Sequence, residues 1–552
     1  MTISSSIHPH TPHHGLFANP ILPGGYPDPS ICRVGDDYYL VNSSFEYFPG
    51  LPIHHSRDLV NWTLVGYGLQ RLEQCARGLD LADVQSQGGI HAPTLRHHAG
   101  TFYLISTNVY QPQDQTQPTQ FVNFILTASD VRGPWSAPHI LAGAPGIDPD
   151  IFFDDDGKVW IAGAHPPEQP NFPGEGEIWL QELDLQNWVL TGDRFYLYRG
   201  ACGGVWVEGP HLYKKNGVYY LLVAEGGTGF NHAVMVAASQ QIQGPFHSNP
   251  RNPILTSRHL SHDNWVHSTG HADLVELPDG RWYMVALGVR GDVERISNMG
   301  RETHLIPLVW EQGASVSQGI PAEWPVCAPQ TGRVERLTPL PFPEVGQKAA
   351  SPFCEHFESE TLSLAWNTRR LPLPGSFSVQ AQPARLRLLA GAGHIQERGQ
   401  YSFIGFRQQQ SNFEFQLALE FNPISAGLEA GLLLLQRDDN YLKFSLIRQN
   451  DQNLLSLMLS EFNRPNQLLH QQPVEEYPGR ILLRVVSQAQ RYRFDYRLQQ
   501  ASSWLPFSET GANLLLSRGY TGAYLGLYAS SNGYPSTTYA DFSALQYQDL
   551  TD

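Results

Sequence analysis

Short apolar strands separated by turn-forming residues fill the first 290 residues of the chain, and one pattern recurs five times among them. Each copy holds a turn, an apolar strand, a tight hairpin and a second strand carrying an aromatic residue. The copies are DPSICRVGDDYYLV from Asp28, APTLRHHAGTFYLI from Ala92, DPDIFFDDDGKVWIA from Asp148, GPHLYKKNGVYYLLV from Gly209 and HADLVELPDGRWYMVA from His271. Their aromatics, Tyr39, Tyr103, Trp160, Tyr220 and Tyr283, are spaced by 64, 57, 60 and 63 residues. That interval accommodates a four-stranded antiparallel sheet with its loops, so the pattern predicts a five-bladed β-propeller over residues 16–332. The stretch RVERLTPLPFPEVGQKAASPF, with prolines at 339, 341 and 343, predicts a linker over 333–352. Beyond it, FEFQLALEF, GLLLLQRDDNYLKFSLI and GYTGAYLGLYASSNG alternate or run apolar at strand length, which predicts a β-sandwich over 353–552. The expected fold class is all-β.

Composition agrees with this picture and narrows the partners. Charged residues make up 16% of the 552 and aromatics 11%, with 50 glycines and 41 prolines, a profile of short strands and tight turns. The formal charge of −16 argues against a nucleic-acid groove or an anionic membrane surface and favours neutral, polar ligands. Five scattered cysteines (Cys32, Cys75, Cys202, Cys327, Cys354) form no CxxC and no zinc-ligand spacing, so reduced thiols are expected. The first 15 residues, MTISSSIHPHTPHHG, read as a flexible tail, and His8, His10, His13 and His14 within it as mobile rather than metal-binding. The N-terminus has neither a basic n-region nor an apolar h-region, which makes a cytoplasmic protein the expectation. Self-association into a homo-oligomer is left open.

Repetition also points to a site. Residues at the start of each blade's inner strand crowd round one end of a propeller's channel. The aligned positions hold Asp28, Ala92, Asp148, Gly209 and His271, and one residue earlier stand Pro27, His91, Ile147, Glu208 and Gly270. A scaffold needs only small turn residues there. Three carboxylates and two histidines converging on one opening go beyond what folding requires, because crowded like charges are unfavourable. By contrast, Asp36-Asp37 and Asp154-Asp155-Asp156-Gly157 sit at hairpin tips and read as solvated turns.

No P-loop, GxSxG, HExxH or EF-hand pattern is present, which leaves carboxylate chemistry without an organic cofactor. Cleaving a glycosidic bond needs an acid to protonate the leaving oxygen and a base or nucleophile on the opposite face of the sugar. Asp28 on the first blade and Glu208 on the fourth stand across the channel from each other, an arrangement suited to inversion with a water between sugar and base. Asp148 is expected to raise the acid's pKa by like-charge repulsion.

At these residues the chain resembles glycoside hydrolase family 43, in particular its β-xylosidases and α-L-arabinofuranosidases. The stretches are NPILPGGYPDPSICRVGDDYYLVNSSFEYFPGLPIHHSRDLVNW, GGIHAPTLRHHAGTFYLI, GIDPDIFFDDDG, WVEGPHLYKKNGVYYLLVAEGG, GHADLVELPDGRWY and GRETHLIP, in order across the whole propeller. The resemblance implies Asp28 as general base, Glu208 as general acid and Asp148 as the residue that tunes and orients the acid. It also implies that Phe45 covers the sugar at the non-reducing end, that Arg301 hydrogen-bonds sugar hydroxyls, and that Ala92 and Thr228 line the pocket. His91 departs from the family pattern, which often has a large aromatic there, and it alters the width of the pocket. His271 matches a Gly-His motif that in many members lies at the channel axis beside a calcium ion or a water cluster. One histidine is not a calcium cage, so waters would complete the shell, and a buried structural histidine is the equal alternative. The sandwich resembles the lectin-like C-terminal domain of such xylosidases, in which a loop closes one side of the active site; Tyr520 is the candidate.

The resulting expectation is an inverting exo-glycosidase that releases xylose from the non-reducing end of β-1,4-xylooligosaccharides, with α-L-arabinofuranosidase activity as a second or main activity. The competing readings are a non-catalytic glycan-binding protein and an endo-arabinanase, the latter disfavoured because it needs an open groove.

Overall fold

The structure is a computed structural model. It describes residues 14–550 apart from 77, 80, 292–296, 313–322, 350, 490, 499–500 and 512–518. Most of the expected N-terminal tail, including His8, His10 and His13, therefore lies outside the described residues.

Five antiparallel sheets follow one another along the chain, each built on four strands paired in sequence order. Their inner strands are Ser30–Val34, Thr94–His98, Ile147–Phe153, Glu208–Lys215 and Val266–Glu276. Each inner strand touches the next, and the fifth touches the first, so the sheets close as a five-bladed propeller. The apolar positions of the repeats form the cores between blades. Val234, Val236, Ala272, Met284 and Ile306, for example, are buried between the fourth and fifth blades. The ring is fastened between the fifth blade and the first, where Phe17, Ile21, Leu22, Tyr38, Val285, Leu305 and Leu340 share one cluster.

The stretch expected as a linker packs on the propeller. Leu337–Pro339 pairs antiparallel with Leu16–Ala18, and the Gln347 side chain accepts from the Ala18 amide at 2.7 Å. Its prolines interrupt pairing without freeing the chain, because the neighbouring Leu340 is anchored in the core.

The second unit is a sandwich of two eight-stranded sheets. Alternate residues such as Leu432, Leu434, Phe444, Leu457, Phe415, Leu483 and Phe542 fill the space between them. One of those sheets does not end within the second unit. Tyr47–Phe48, from the first blade's loop, pairs with Asn367–Arg369 as its edge strand. The contact is reinforced by buried charge: Arg369 bridges Glu46 and Asp438, each at 2.8 Å, and Arg370 reaches Asp438 at 2.6 Å. Among the described residues, no helix is long and apolar enough to cross a membrane.

Candidate active site

The inner strands begin in an unusual backbone conformation. Asp28, Asp148 and His271 have φ of 51°, 55° and 40°, and Gly209 has 58°. The left-handed region is disfavoured for side chains with a Cβ, and such strain collects where geometry serves function. The ladder slips at the same places, between Ile147 and Asp150, Glu208 and His211, and Gly270 and Ala272. Each bulge turns a polar side chain to the channel mouth before the strand resumes pairing. Gly209 also leaves room for its neighbour, since a Cβ there would stand 2.9 Å from the His271 ring.

Asp28 is buried and well partnered. Arg301 Nη1 donates to Oδ1 at 3.2 Å, the Ser43 hydroxyl donates to Oδ2 at 2.6 Å, and His271 Nδ1 lies 3.8 Å from Oδ1. Burial alone raises a carboxyl pKa, but Arg301, His271, Ser43 and His91 together outweigh it and hold Asp28 below the usual carboxylate range. Glu208 behaves oppositely. Burial, with a further push from the Asp28 charge, raises it to about 7 against the pull of Arg301. Asp148 is raised as well, by burial, by Glu208 and by Asp28, and its Oδ2 accepts from the Gly209 amide at 3.1 Å. The expected repulsion between Asp148 and Glu208 is present, and the Asp28 charge adds to the rise of both. The site thus holds one ionised carboxylate facing a pair of raised acids.

An aromatic wall stands over these groups. Phe45 and Tyr520 stack with centroids 5.5 Å apart at 28°, and His91 meets Phe45 edge-on at 5.0 Å and Tyr520 at 5.9 Å. The Arg301 guanidinium lies 4.9 Å from the Tyr520 ring centre and 5.8 Å from that of Phe45, and its Nε donates to the Tyr520 carbonyl at 3.3 Å. Phe45 is fixed by reciprocal backbone hydrogen bonds with Ile90 at 2.8 and 3.0 Å. Burial pushes the His91 imidazole down to about 4, so it is neutral near pH 7, and its Nε2 donates to the Gln87 carbonyl at 3.3 Å. Ala92 beside it is buried. Thr228 is half-buried in the loop after Val218–Glu225, next to Gly227, where a Cβ would lie 3.2 Å from the Trp206 indole.

Tyr520 reaches the propeller because two glycines cross. A Cβ on Gly300 would stand 2.3 Å from the Gly522 nitrogen, and one on Gly522 would stand 2.2 Å from the Met299 carbonyl oxygen. Only bare backbone permits this approach, which sets Tyr520 against Arg301.

One layer below the mouth, the residues two positions further along the repeats form a polar plug. Asp273 accepts from Ser30 at 2.7 Å and from Arg96 at 2.8 Å, Arg96 also reaches Asp150 at 3.1 Å, and His211 lies 3.3 Å from Asp150. Sequence reasoning passed over this layer, although the same alignment that found Asp28 and Asp148 carries Ser30, Asp150, His211 and Asp273 two places on. It also passed over Ser43.

The side chains around His271 do not by themselves form a calcium cage, so any such ion would be held largely by water. His211 and His232 each leave a buried ring nitrogen without a partner, but these are imidazoles, whereas calcium takes six to eight oxygens. Among the described residues no three His, Cys, Asp or Glu side chains converge to hold a metal ion. Burial pushes His271 down to about 4, leaving it neutral, a form open both to a metal ligand and to a structural histidine.

A sheet-built channel mouth with carboxyls in opposite protonation states and an aromatic wall defines a carbohydrate-active site. Profile comparison agrees: the family described as "Glycosyl hydrolases family 43" matches residues 17–314, and "Beta xylosidase C-terminal Concanavalin A-like domain" matches 354–548. The chain belongs to glycosyl hydrolase family 43 and is a glycosidase. It is 37% identical over 539 residues to a xylosidase/arabinosidase of Butyrivibrio fibrisolvens, covering 96% of this chain and 99% of that one. A non-reducing-end α-L-arabinofuranosidase of Bacteroides ovatus is 34% identical, covering 97% and 95%. The solved structure of a xylan β-1,4-xylosidase from Bacillus halodurans C-125 superposes with a TM-score of 0.87 at 32% identity, covering 96% of this chain and all of that one.

Proposed function

We propose that the protein is an inverting, exo-acting glycosidase that removes a terminal pentose, xylose from β-1,4-xylooligosaccharides or arabinofuranose from α-linked ends. The observation that carries this reading is the split in protonation, with Asp28 held ionised while Glu208 stays protonated up to about pH 7. Asp28 accepts a proton from a water as its oxygen attacks the anomeric carbon. Glu208 gives its proton to the departing glycosidic oxygen, so each turnover leaves a protonated base and an ionised acid that re-equilibrate with solvent. Arg301 keeps the base ionised and faces the sugar, and Asp148 orients the strand bearing Glu208 through the Gly209 amide. Exo action is supported by the Phe45–Tyr520 stack, which walls one side of the pocket. The relatives' names divide between xylose and arabinose.

The test is parallel hydrolysis of p-nitrophenyl β-D-xylopyranoside and p-nitrophenyl α-L-arabinofuranoside by wild type and Asp28→Ala, with proton NMR of the first-formed anomer. Hydrolysis lost in the variant, with inversion at the anomeric carbon, is the expected result. Retention of configuration, or an Asp28→Ala enzyme as active as wild type, would overturn the assignment.

A further inference from the structure

The outer face of one sandwich sheet carries a second pocket. Along Glu429–Arg437, Asn440–Gln449 and Gln452–Ser460, one set of alternate residues enters the inter-sheet core and the other faces outward. Ile395 and Tyr401 cover part of that outer face, packing on Leu433, Leu435 and Tyr524. The uncovered remainder is a cavity of about 380 Å³, within the size range of ligand sites.

Its floor is unlike a solvated sheet face. The Glu429 side chain is only 2% exposed, and it accepts from Lys443 at 2.8 Å, Ser445 at 2.5 Å and Asn532 at 3.2 Å. Those partners hold it ionised, below the usual carboxylate range, despite its burial. Lys443 also lies 5.5 Å from the centre of the Tyr528 ring. At the rim, the Gln396 and Asn466 amides bond each other reciprocally at 2.9 and 3.1 Å, and Asn466 donates to the Tyr441 hydroxyl at 3.4 Å. Buried ion pairs are a poor means of stabilising a fold, since well-packed apolar residues do as well or better. A fixed charge pair, paired amides and two tyrosines around one concavity are instead the elements that recognise a hydroxyl-rich ligand.

We propose that this pocket is a second carbohydrate-binding site, which holds a neutral pentose glycan without cleaving it. Glu429 and Lys443 cancel each other, and the net charge of −16 disfavours anions, so the ligand is uncharged. The choice of pentose rests on the proposed activity; the pocket's polar floor does not. Bound there, a chain would be kept near the propeller pocket, raising its local concentration.

Native gel electrophoresis of the full-length Asp28→Ala chain through gels containing soluble arabinoxylan tests this. Retardation is expected, persisting in excess free xylose that fills the propeller pocket. It should fall at least threefold in Asp28→Ala chains carrying Glu429→Gln with Lys443→Met, which removes the charges together, or Gln396→Ala with Gln471→Ala, Gln471 being a further amide that lines the pocket. In an otherwise wild-type chain both pairs should leave aryl-pentoside hydrolysis within twofold, which reports an intact fold. Unretarded migration, release by xylose, or equal retardation of the variant lacking the two amides would overturn the proposal. Loss of the proposed function is read separately, from hydrolysis.

Discussion

Glu208→Gln provides the sharpest test of the carboxyl assignments. The glutamine keeps the size and polarity of the acid but cannot donate its proton to a departing oxygen. General acid catalysis contributes 10²- to 10⁴-fold, about 3–5 kcal/mol of barrier, and the whole of it should be lost on xylobiose, whose sugar leaving group needs the proton. With a dinitrophenyl glycoside the phenolate departs unaided, so the loss should stay below about tenfold. The raised pKa adds a second signature. A group titrating at about 7 is about nine-tenths protonated at pH 6, half at pH 7 and a tenth at pH 8, so wild-type kcat/KM on xylobiose should fall about fivefold from pH 7 to 8 and about tenfold per unit beyond that. The variant should lose that basic limb. Initial rates for both substrates from pH 5 to 9 give the answer in one experiment. Equal losses on the two leaving groups, or a basic limb kept by Glu208→Gln, would refute the role of Glu208 as acid.

Other consequences follow from neighbouring contacts. The acidic limb of the wild-type profile should lie below the usual carboxylate range, because Asp28 must be ionised to act and Arg301 with its neighbours holds it so; an acidic limb near pH 6 would contradict this. Tyr520→Ala removes one ring of the stacked wall and leaves Phe45 unsupported, so KM for xylobiose should rise with kcat little changed; an unchanged KM would contradict a role in the wall. Arg369→Met strands the Glu46 carboxylate at the interface and leaves Asp438 to Arg370 alone, and urea unfolding should show a loss of about 3–5 kcal/mol, partly restored by adding Glu46→Gln. Because the side chains about His271 form no calcium cage by themselves, kcat/KM should stay within twofold in excess chelator; a larger loss reversed by calcium would show that a water-held metal is required.

The repeats made the propeller and the three carboxylates at its mouth legible, because each blade buries the same alternating face and the equivalent turns lead to one opening. Asp28 and Asp148 share one backbone conformation as well as one place in the pattern. Arg301 and Phe45 could be found only by resemblance, since neither occupies a repeated position. Their roles in geometry emerge from contacts over long chain separations: Arg301 to Asp28 across the closing blades, and Phe45 against Tyr520 from the other domain. How the linker packs was illegible for a related reason. Its prolines mark interrupted pairing, and whether such a segment is free depends on what it packs against, here the Leu16–Ala18 strand.

The sequence by itself determined the all-β class, the five-fold repetition and which carboxylates gather at one opening. These depend on local rules, the two-residue period of strands and the turn chemistry that ends them. Tertiary structure decided the protonation of those carboxylates, because pKa values depend on burial and on charges brought near from distant blades. It also decided the closure of the pocket. Tyr520 becomes part of the site only where Gly300 and Gly522 let two backbones cross, a contact between residues more than two hundred positions apart that no local pattern encodes.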